Sequence, residues 1–393
     1  MINRPGNAAL VFSLFTVLSL LLMGSALAEE PITVAALVGL SGPGSVAKGS
    51  IELDLGLKDC LAIANERGGI NGKKIRYVMK DDSYKPDTAV RLFAQMMETE
   101  KPLAFFGSGT PAAIALKPVI QDRYRVLFTS SSLSAKLAFG GTLPMFVPGP
   151  TYGDQVGIAL KYIAQQQPGA KIAFFYSEGP LGEDPIPYGR LMIRKLRLEL
   201  AGEAVGDIKG GDHTAQVQEL KRMNPDFVII HGWVGPSNAP LIKQCHDMGL
   251  KSKIIVTSWG AMRSVVAALG PDGPPFLGVS GYAYWWMEDV PMIKTIRDYT
   301  RIHYPDVKER SLSYMVAFVA GQIFVECLRK ADAAGKLSRD GVADALQSIK
   351  DFDTGGLTPL LTIRGNRFPV ARIIKSNPAK GIYEPVTDWI KFY

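Results

Sequence analysis

The sequence predicts an α/β protein built as two doubly wound, parallel-sheet lobes. Three observations predict it. The chain has 393 residues, too many for one ordinary core and suited to two domains. Apolar runs of strand length alternate with helix-length segments, which argues for parallel sheets covered on both faces. The alternation then restarts past a boundary at 148–153, "PGPTYG".

The elements follow in order. "ITVAALV", 32–38, reads as a buried strand. The segment 51–64 puts Leu53, Leu57, Cys60, Leu61 and Ala64 on one helical face. Gly68 and Gly69 stop that helix, because glycine tolerates the left-handed position past a helix end. Asn71-Gly72 turns the chain into a strand carrying Ile75, Tyr77 and Met79, and Pro86 opens the next helix. "LAFF", 103–106, and "VLFT", 126–129, are strands separated by a helix that runs to about Arg123. The second half gives helix 154–166, strand "KIAFFY" at 171–176, helix 185–200 closed by Gly202, and helix 213–223. Strand "DFVIIH" at 226–231, helix 238–248, strand "KIIVTS" at 253–258 and a long helix 311–330 complete it. The long helix carries the stripe Leu312, Met315, Val319 and Ile323.

Apolar residues are 47% and charged residues 21%, a globular composition, and the net charge of +7 is spread without a basic block. No nucleic-acid partner is expected. Arg4, the apolar run 8–23 and the small pair Ala26 and Ala28 read as a signal peptide, 1–28, cleaved after Ala28; an uncleaved anchor is the alternative. Beyond it no second long apolar run stands out, so no stable membrane insertion is expected after cleavage. Cys60, Cys245 and Cys327 sit among apolar residues in helical segments. They read as three buried thiols, with one bridge as the alternative in an oxidising compartment.

Open α/β sheets bind ligands beyond the carboxyl ends of their strands. That selects the loops 39–50, 107–111, 129–134, 177–184, 231–238 and 258–262 as the walls of one cleft. In "VGLSGPGSVAKG", 38–49, glycines let backbone approach a ligand, and Ser41 and Ser45 either touch it or cap the loop. "GSGTPAA", 107–113, and "TSSSLS", 129–134, each leave a strand and enter a helix. Their hydroxyls cap a helix or bond a ligand, and the free N–H groups of a helix start favour a carboxylate. The second lobe offers Trp233, Trp259 and the cluster Tyr282, Tyr284, Trp285 and Trp286. Part of that cluster is core; one or two rings face the cleft. "KDDS", 80–83, reads as a solvated loop. No H-E-x-x-H, G-x-S-x-G or Gly-Lys-Ser/Thr motif is present, and no G-x-G-x-x-G enters the first helix. No metal, cofactor or catalytic set is therefore expected.

The segments "ITVAALVGLSGPGSVAKG" at 32–49 and "GLKDCLAIANERGGINGKKIRYVMKDDSYKPDTAV" at 56–90 carry a resemblance, with "DFVIIHGW" at 226 and the terminal "VTDWIKFY" in support. The chain resembles the periplasmic substrate-binding proteins of branched-chain amino acid ABC transporters, which have the type I periplasmic-binding fold. The resemblance implies a three-strand hinge with crossings near 149–153, 279–284 and 355–361. It implies lobes of 29–150 plus 283–358 and of 151–282 plus 359–393. It also implies a periplasmic monomer that closes on a small molecule and delivers it to an ABC permease; a ligand sensor of the same fold is the rival reading.

By position, the resemblance puts Ser108, Thr110, Ser130 and Ser132 on a ligand carboxylate. It puts Leu181 where an aromatic clamp is usual, Trp233 where an aromatic is kept, and Trp259 where a carboxylate usually meets the α-ammonium. An ammonium desolvated without a counter-charge is costly. The expected ligand is therefore an aromatic or otherwise apolar carboxylic acid, held among Trp233, Trp259 and Tyr282. A branched-chain or other hydrophobic amino acid, with Glu178 or Glu183 on its ammonium, is the alternative.

Overall fold

The computed structural model describes residues 30–42, 44–139 and 144–392, so the expected signal peptide lies outside the described residues. Strands β1 (Ile32–Val38), β2 (Ile75–Asp81), β3 (Ala104–Gly107) and β4 (Leu127–Ser130) form a parallel sheet in the order β2-β1-β3-β4. All seven residues of β1 are buried, as a strand covered on both faces must be. Phe93, Phe105 and Phe128 pack edge-on and stacked beneath this sheet, with the first two ring centres 4.7 Å apart.

The second sheet holds β5 (Lys171–Ser177), β6 (Glu199–Gly206), β7 (Phe227–His231), β8 (Lys253–Val256), β9 (Leu277–Ser280), β10 (Val370–Asn377), β11 (Ile382–Pro385) and β12 (Ile390–Lys391). Its order is β11-β10-β9-β8-β7-β5-β6, with β12 paired to β10. The pairings from β6 to β9 are parallel, and β10 joins β9 antiparallel. The fold is a two-lobed α/β fold of the type I periplasmic-binding architecture.

One element differs from expectation. The helix expected at 185–200 ends at Lys195. Arg197 turns the chain through φ +56°, and 199–206 then pairs with β5 as an edge strand. Its register slips between Leu200 and Gly202, so Ala201 is the extra residue of a bulge. A half-exposed, bulged edge strand carries little period-two signal, and Gly202 reads equally well as a helix stop.

Three chain crossings join the sheets. Val147 N–H donates to Asn366 O at 2.9 Å and Phe368 N–H to Gly149 O at 3.3 Å, tying the first crossing to the third, while Ala283 N–H at the second donates to Leu357 O, ahead of the third, at 2.7 Å. The third crossing comes later than the resemblance implies. Leu361 still pairs with Phe352, and the chain reaches β10 only at Val370.

The helix Leu312–Ala333 is long and apolar enough to cross a membrane, yet its most apolar stretch is 83% buried inside the protein. It is a core helix, packed on the helix Gly44–Glu66. A side-chain carbon at Gly56 would lie 2.3 Å from the Tyr314 carbonyl oxygen, and one at Gly321 would lie 2.9 Å from Cys60 Sγ. The two helices touch through small residues. Gly56→Ala is expected to destabilise the protein by about 2 kcal/mol despite alanine's better helix propensity. Equilibrium denaturant unfolding checks this; unchanged stability would show that the helices can separate at no cost.

Candidate functional site

In each sheet the strand order reverses once, between β1 and β3 and between β5 and β7. A cavity lies where the loops from these two switch points face each other. Its walls include Val46 and Leu53 after β1, Gly109 and Thr110 after β3, Leu181 after β5, and Val234 after β7. Tyr84, Ser131, Tyr152, Trp259 and Ser313 complete most of the remainder. The empty space is about 440 Å³, part of it open to solvent. None of the lining residues carries a charge.

The first lobe contributes a helix start and a chain of hydroxyls. The helix Thr110–Val119 has Gly109 at its N-cap, which supplies no side-chain acceptor. Its first N–H groups have no intrahelical partner by geometry. Thr110 Oγ1 and Ser132 Oγ are 2.9 Å apart and buried. Ser132 Oγ accepts from Ser134 N–H at 3.2 Å, and Ser130 Oγ accepts from Ser132 N–H at 3.1 Å. Thr110 in turn meets the Tyr152 hydroxyl.

Tyr152 stands at the first crossing, at the start of the helix Tyr152–Gln166. A capping box between Thr151 and Asp154 fixes that helix start. The Trp259 indole N–H donates to the Tyr152 hydroxyl at 2.9 Å. Burial pushes the Tyr152 phenol up to about 12, against the pull of hydrogen bonds that include those from Trp259 and Thr110. Tyr152 therefore keeps its proton and accepts from the Trp259 indole.

The lobes are also latched beside the cavity. Asp184, which follows the turn Pro180–Glu183 of the second lobe, accepts from the Ser134 hydroxyl and from Ala135 N–H of the first. Burial raises its carboxyl above the usual carboxylate range. His231, at the end of β7, bridges Thr257 Oγ1 at 2.7 Å and the Leu181 carbonyl at 2.9 Å. Its ring lies 4.6 Å from that of Tyr152. Burial drives the imidazole down to about 4, so it is neutral and supports Leu181 from beneath.

The sequence-predicted residues fall into three groups. Thr110, Leu181 and Trp259 line the cavity. Ser108, Ser130 and Ser132 are buried behind it, Ser108 against Asp82. Ser41, Trp233 and Tyr282 lie apart from the lining. Ser41 is exposed and donates to Asp81 Oδ2 at 2.5 Å. Trp233 turns its N–H to the Asp207 carbonyl at 2.9 Å and packs on Phe175 and His213. Tyr282 is fully buried at the hinge, where its ring fills the space a side chain at Gly149 would occupy. The expected solvated loop at 80–83 is corrected, because Asp82 is fully buried and accepts from Tyr84 N–H at 2.8 Å.

Sequence reasoning missed Tyr84, Ser131 and Tyr152. Ser83 and Tyr84 both adopt positive φ, +55° and +59°, an uncommon conformation for such residues. It aims Tyr84 over Gly109, where any side chain would strike the ring. The signal available was position, since this loop also leaves the carboxyl end of a strand.

A family model described as "Periplasmic binding protein" matches residues 31–373. The chain belongs to the periplasmic binding protein family. The Leu/Ile/Val-binding protein of Escherichia coli K12 is 24% identical over 265 residues, 66% of this chain and 65% of that one. An amino acid binding protein of Pseudomonas aeruginosa is 25% identical over 56% of this chain and 59% of its own length. The chain thus spans about 60–65% of the curated relatives it matches. Among solved structures, a branched-chain amino acid ABC transporter protein from Thermus thermophilus with bound valine superposes with a TM-score of 0.83 at 22% identity, covering 93% of this chain and 98% of its own. A fatty acid ABC transporter substrate-binding protein from Thermomonospora curvata gives 0.78 at 22%, covering 94% of both. At that identity the likeness establishes the fold.

Two outcomes follow for this periplasmic binding protein. Asp184→Ala is expected to enlarge the radius of gyration in small-angle scattering while leaving far-UV circular dichroism unchanged; an unchanged radius would show that the Asp184 contact does not hold the lobes. The second concerns pH. The folded pKa of His231, about 4, lies below its ordinary 6.5, so the unfolded chain takes up the proton first. Its stabilisation is whole above about 6.5 and drains away as pH falls toward 4, by about 3 kcal/mol. Thermal melts of wild type and His231→Gln from pH 7 to 4 should converge as pH falls, and parallel curves would contradict the assignment.

Proposed function

We propose that the chain is an extracytoplasmic solute-binding protein that closes on a small apolar or aromatic carboxylic acid and passes it to an ABC permease. The observation that carries the ligand class is the uncharged lining of the interlobe cavity. A carboxylate there finds donors rather than a cation: the free N–H groups of the Thr110 helix start, the Tyr152 O–H and the Ser131 hydroxyl. Helix starts hold anions in this way without a positive side chain. Val46, Leu53, Leu181, Val234 and the rings of Tyr84 and Trp259 enclose an apolar body.

An α-ammonium has no carboxylate to meet in this lining. Glu183 accepts from Gly179 N–H at 3.1 Å, Glu178 is exposed, and Asp184 is taken up by Ser134 and Ala135. The face of Trp259 would return only about 1–2 kcal/mol by cation–π attraction. The same fold serves both chemistries among relatives, since one solved structure holds valine and another is named for fatty acids.

In this reading Thr110, Ser131, Tyr84, Tyr152, Leu181 and Trp259 touch the ligand. Ser132, itself held by Ser130, keeps Thr110 in place, and Ser108 serves Asp82. The lobes comprise about 29–150 with 283–363, and 151–282 with 370–393, and the crossings between them bend on closure. The mature chain would begin at Glu29 and act as a monomer in the periplasm.

Isothermal titration of the mature chain, stripped of ligand by unfolding and refolding, tests the reading. Benzoate and phenylacetate should bind, and Trp259→Ala should weaken them about tenfold, equivalent to about 1.4 kcal/mol. Micromolar binding of leucine or valine with no binding of the acids would overturn the ligand class.

A further inference from the structure

A second chamber lies along the same seam between the lobes. Met262 and Ser264 of the second lobe, Tyr284 and Trp286 beyond the second crossing, and Ser311 and Met315 at the start of the long core helix build its walls. Its empty space is about 390 Å³, part of it open to solvent, as in the first chamber. The two are neighbours. Trp259 and Ser313 line the first, while residues a few positions along the same segments line the second. Gly235 follows Val234 of the first chamber, and a side-chain carbon there would lie 3.5 Å from both Met262 Sδ and Ser264 Oγ.

The chemistry of this chamber is specific. Tyr284 and Trp286 stack on each other with centroids 4.5 Å apart and planes 14° from parallel, and Tyr383 stacks against both, so one wall is built of aromatic rings. The hydroxyls of Ser264 and Ser311 are buried without hydrogen-bond partners. Such groups are rare in native proteins, because an unmade buried hydrogen bond is costly. Both bordering arginines are already engaged. Arg263 pairs with Glu309 across the seam and donates to the Gly381 carbonyl. Arg310, wholly buried, is shared among Thr300, Glu52 and Asp59. The chamber therefore suits a neutral, flat group that carries a hydrogen-bonding atom.

Resting on the solute-binding reading above, we propose that the ligand is an elongated acid that occupies both chambers. Its carboxylate sits at the Thr110 helix start, and the hydroxyl or carbonyl at its far end pairs with Ser264 and Ser311 beside the Tyr284–Trp286 wall. The second chamber then sets specificity, because an acid lacking the distal polar atom leaves both serines unpaired.

The test is isothermal titration of the stripped mature chain with benzoate, 4-phenylbutanoate and 4-(4-hydroxyphenyl)butanoate. The hydroxyl-bearing acid should bind about tenfold tighter than 4-phenylbutanoate, worth about 1.4 kcal/mol. That ratio should fall to near one in the Ser264→Ala/Ser311→Ala protein. Equal affinities for the two long acids in the native chain, or a ratio that survives the double substitution, would overturn the inference. Binding of benzoate alone would sink the elongated ligand and leave the solute-binding reading standing, whereas binding of none of the three would overturn both. Should the double variant fail to fold, a crystal structure of the native chain with the hydroxyl-bearing acid decides. A phenol oxygen within hydrogen-bond distance of either serine supports the inference, and a water in its place overturns it.

Discussion

The bond from the Trp259 indole to the Tyr152 hydroxyl is the constraint on which the cleft depends. Tyr152 begins the helix that follows the first crossing, so its ring is placed by the hinge itself. Its hydroxyl is met from the second lobe by Trp259 and from the first by Thr110. A group bonded from both sides reports the separation of the lobes directly. Beneath it, His231 holds the Leu181 carbonyl, so the second-lobe wall is tied to the interior of its own sheet. The second-lobe wall of the cavity is thus held from beneath, as pre-organised binding requires.

The polarity of the lining follows from where charge has been placed elsewhere. Asp82, Asp184 and Arg310 are buried near the seam, where Asp184 and Arg310 are taken up by local partners and Asp82 accepts from Tyr84 N–H through Oδ1 while its Oδ2 has no hydrogen-bond partner. Burial raises the Asp82 and Asp184 carboxyls, the expected response of a charge removed from water. What remains to face a ligand is hydroxyl, amide and ring. Such a surface recognises by direction of hydrogen bonds and by shape, and it leaves few long-range fields to attract the wrong ion.

Much of the architecture was legible in the sequence because buried parallel strands announce themselves as short apolar runs such as "ITVAALV" and "KIAFFY". The strand at 199–206 was not, since an edge strand with a bulge at Ala201 buries little. The site was legible to the level of the loop. Thr110 and Trp259 lie in loops selected by the rule that strand ends face the ligand, whereas Leu181, in another such loop, is singled out by the resemblance alone. Within "TSSSLS" the choice of serine turned on which way each side chain points. Ser130 and Ser132 turn inward to serve the backbone and Thr110, and Ser131 faces out. Tyr84 escaped because two consecutive residues at positive φ leave no mark in composition. Tyr152 escaped because "PGPTYG" resembles a plain linker. Trp233 shows the opposite error: an aromatic in a cleft loop whose ring is spent on packing against Phe175.

The cysteines have a practical consequence. Cys60, Cys245 and Cys327 are all free and buried, and burial holds the Cys245 thiol near 12, with the other two higher still. Thiols that stay protonated and covered react slowly with alkylating reagents. The chain therefore offers a chemically silent background. A single new cysteine on either rim of the seam could carry a fluorophore without prior removal of the natural ones, which would turn the opening and closing of the lobes into an optical signal.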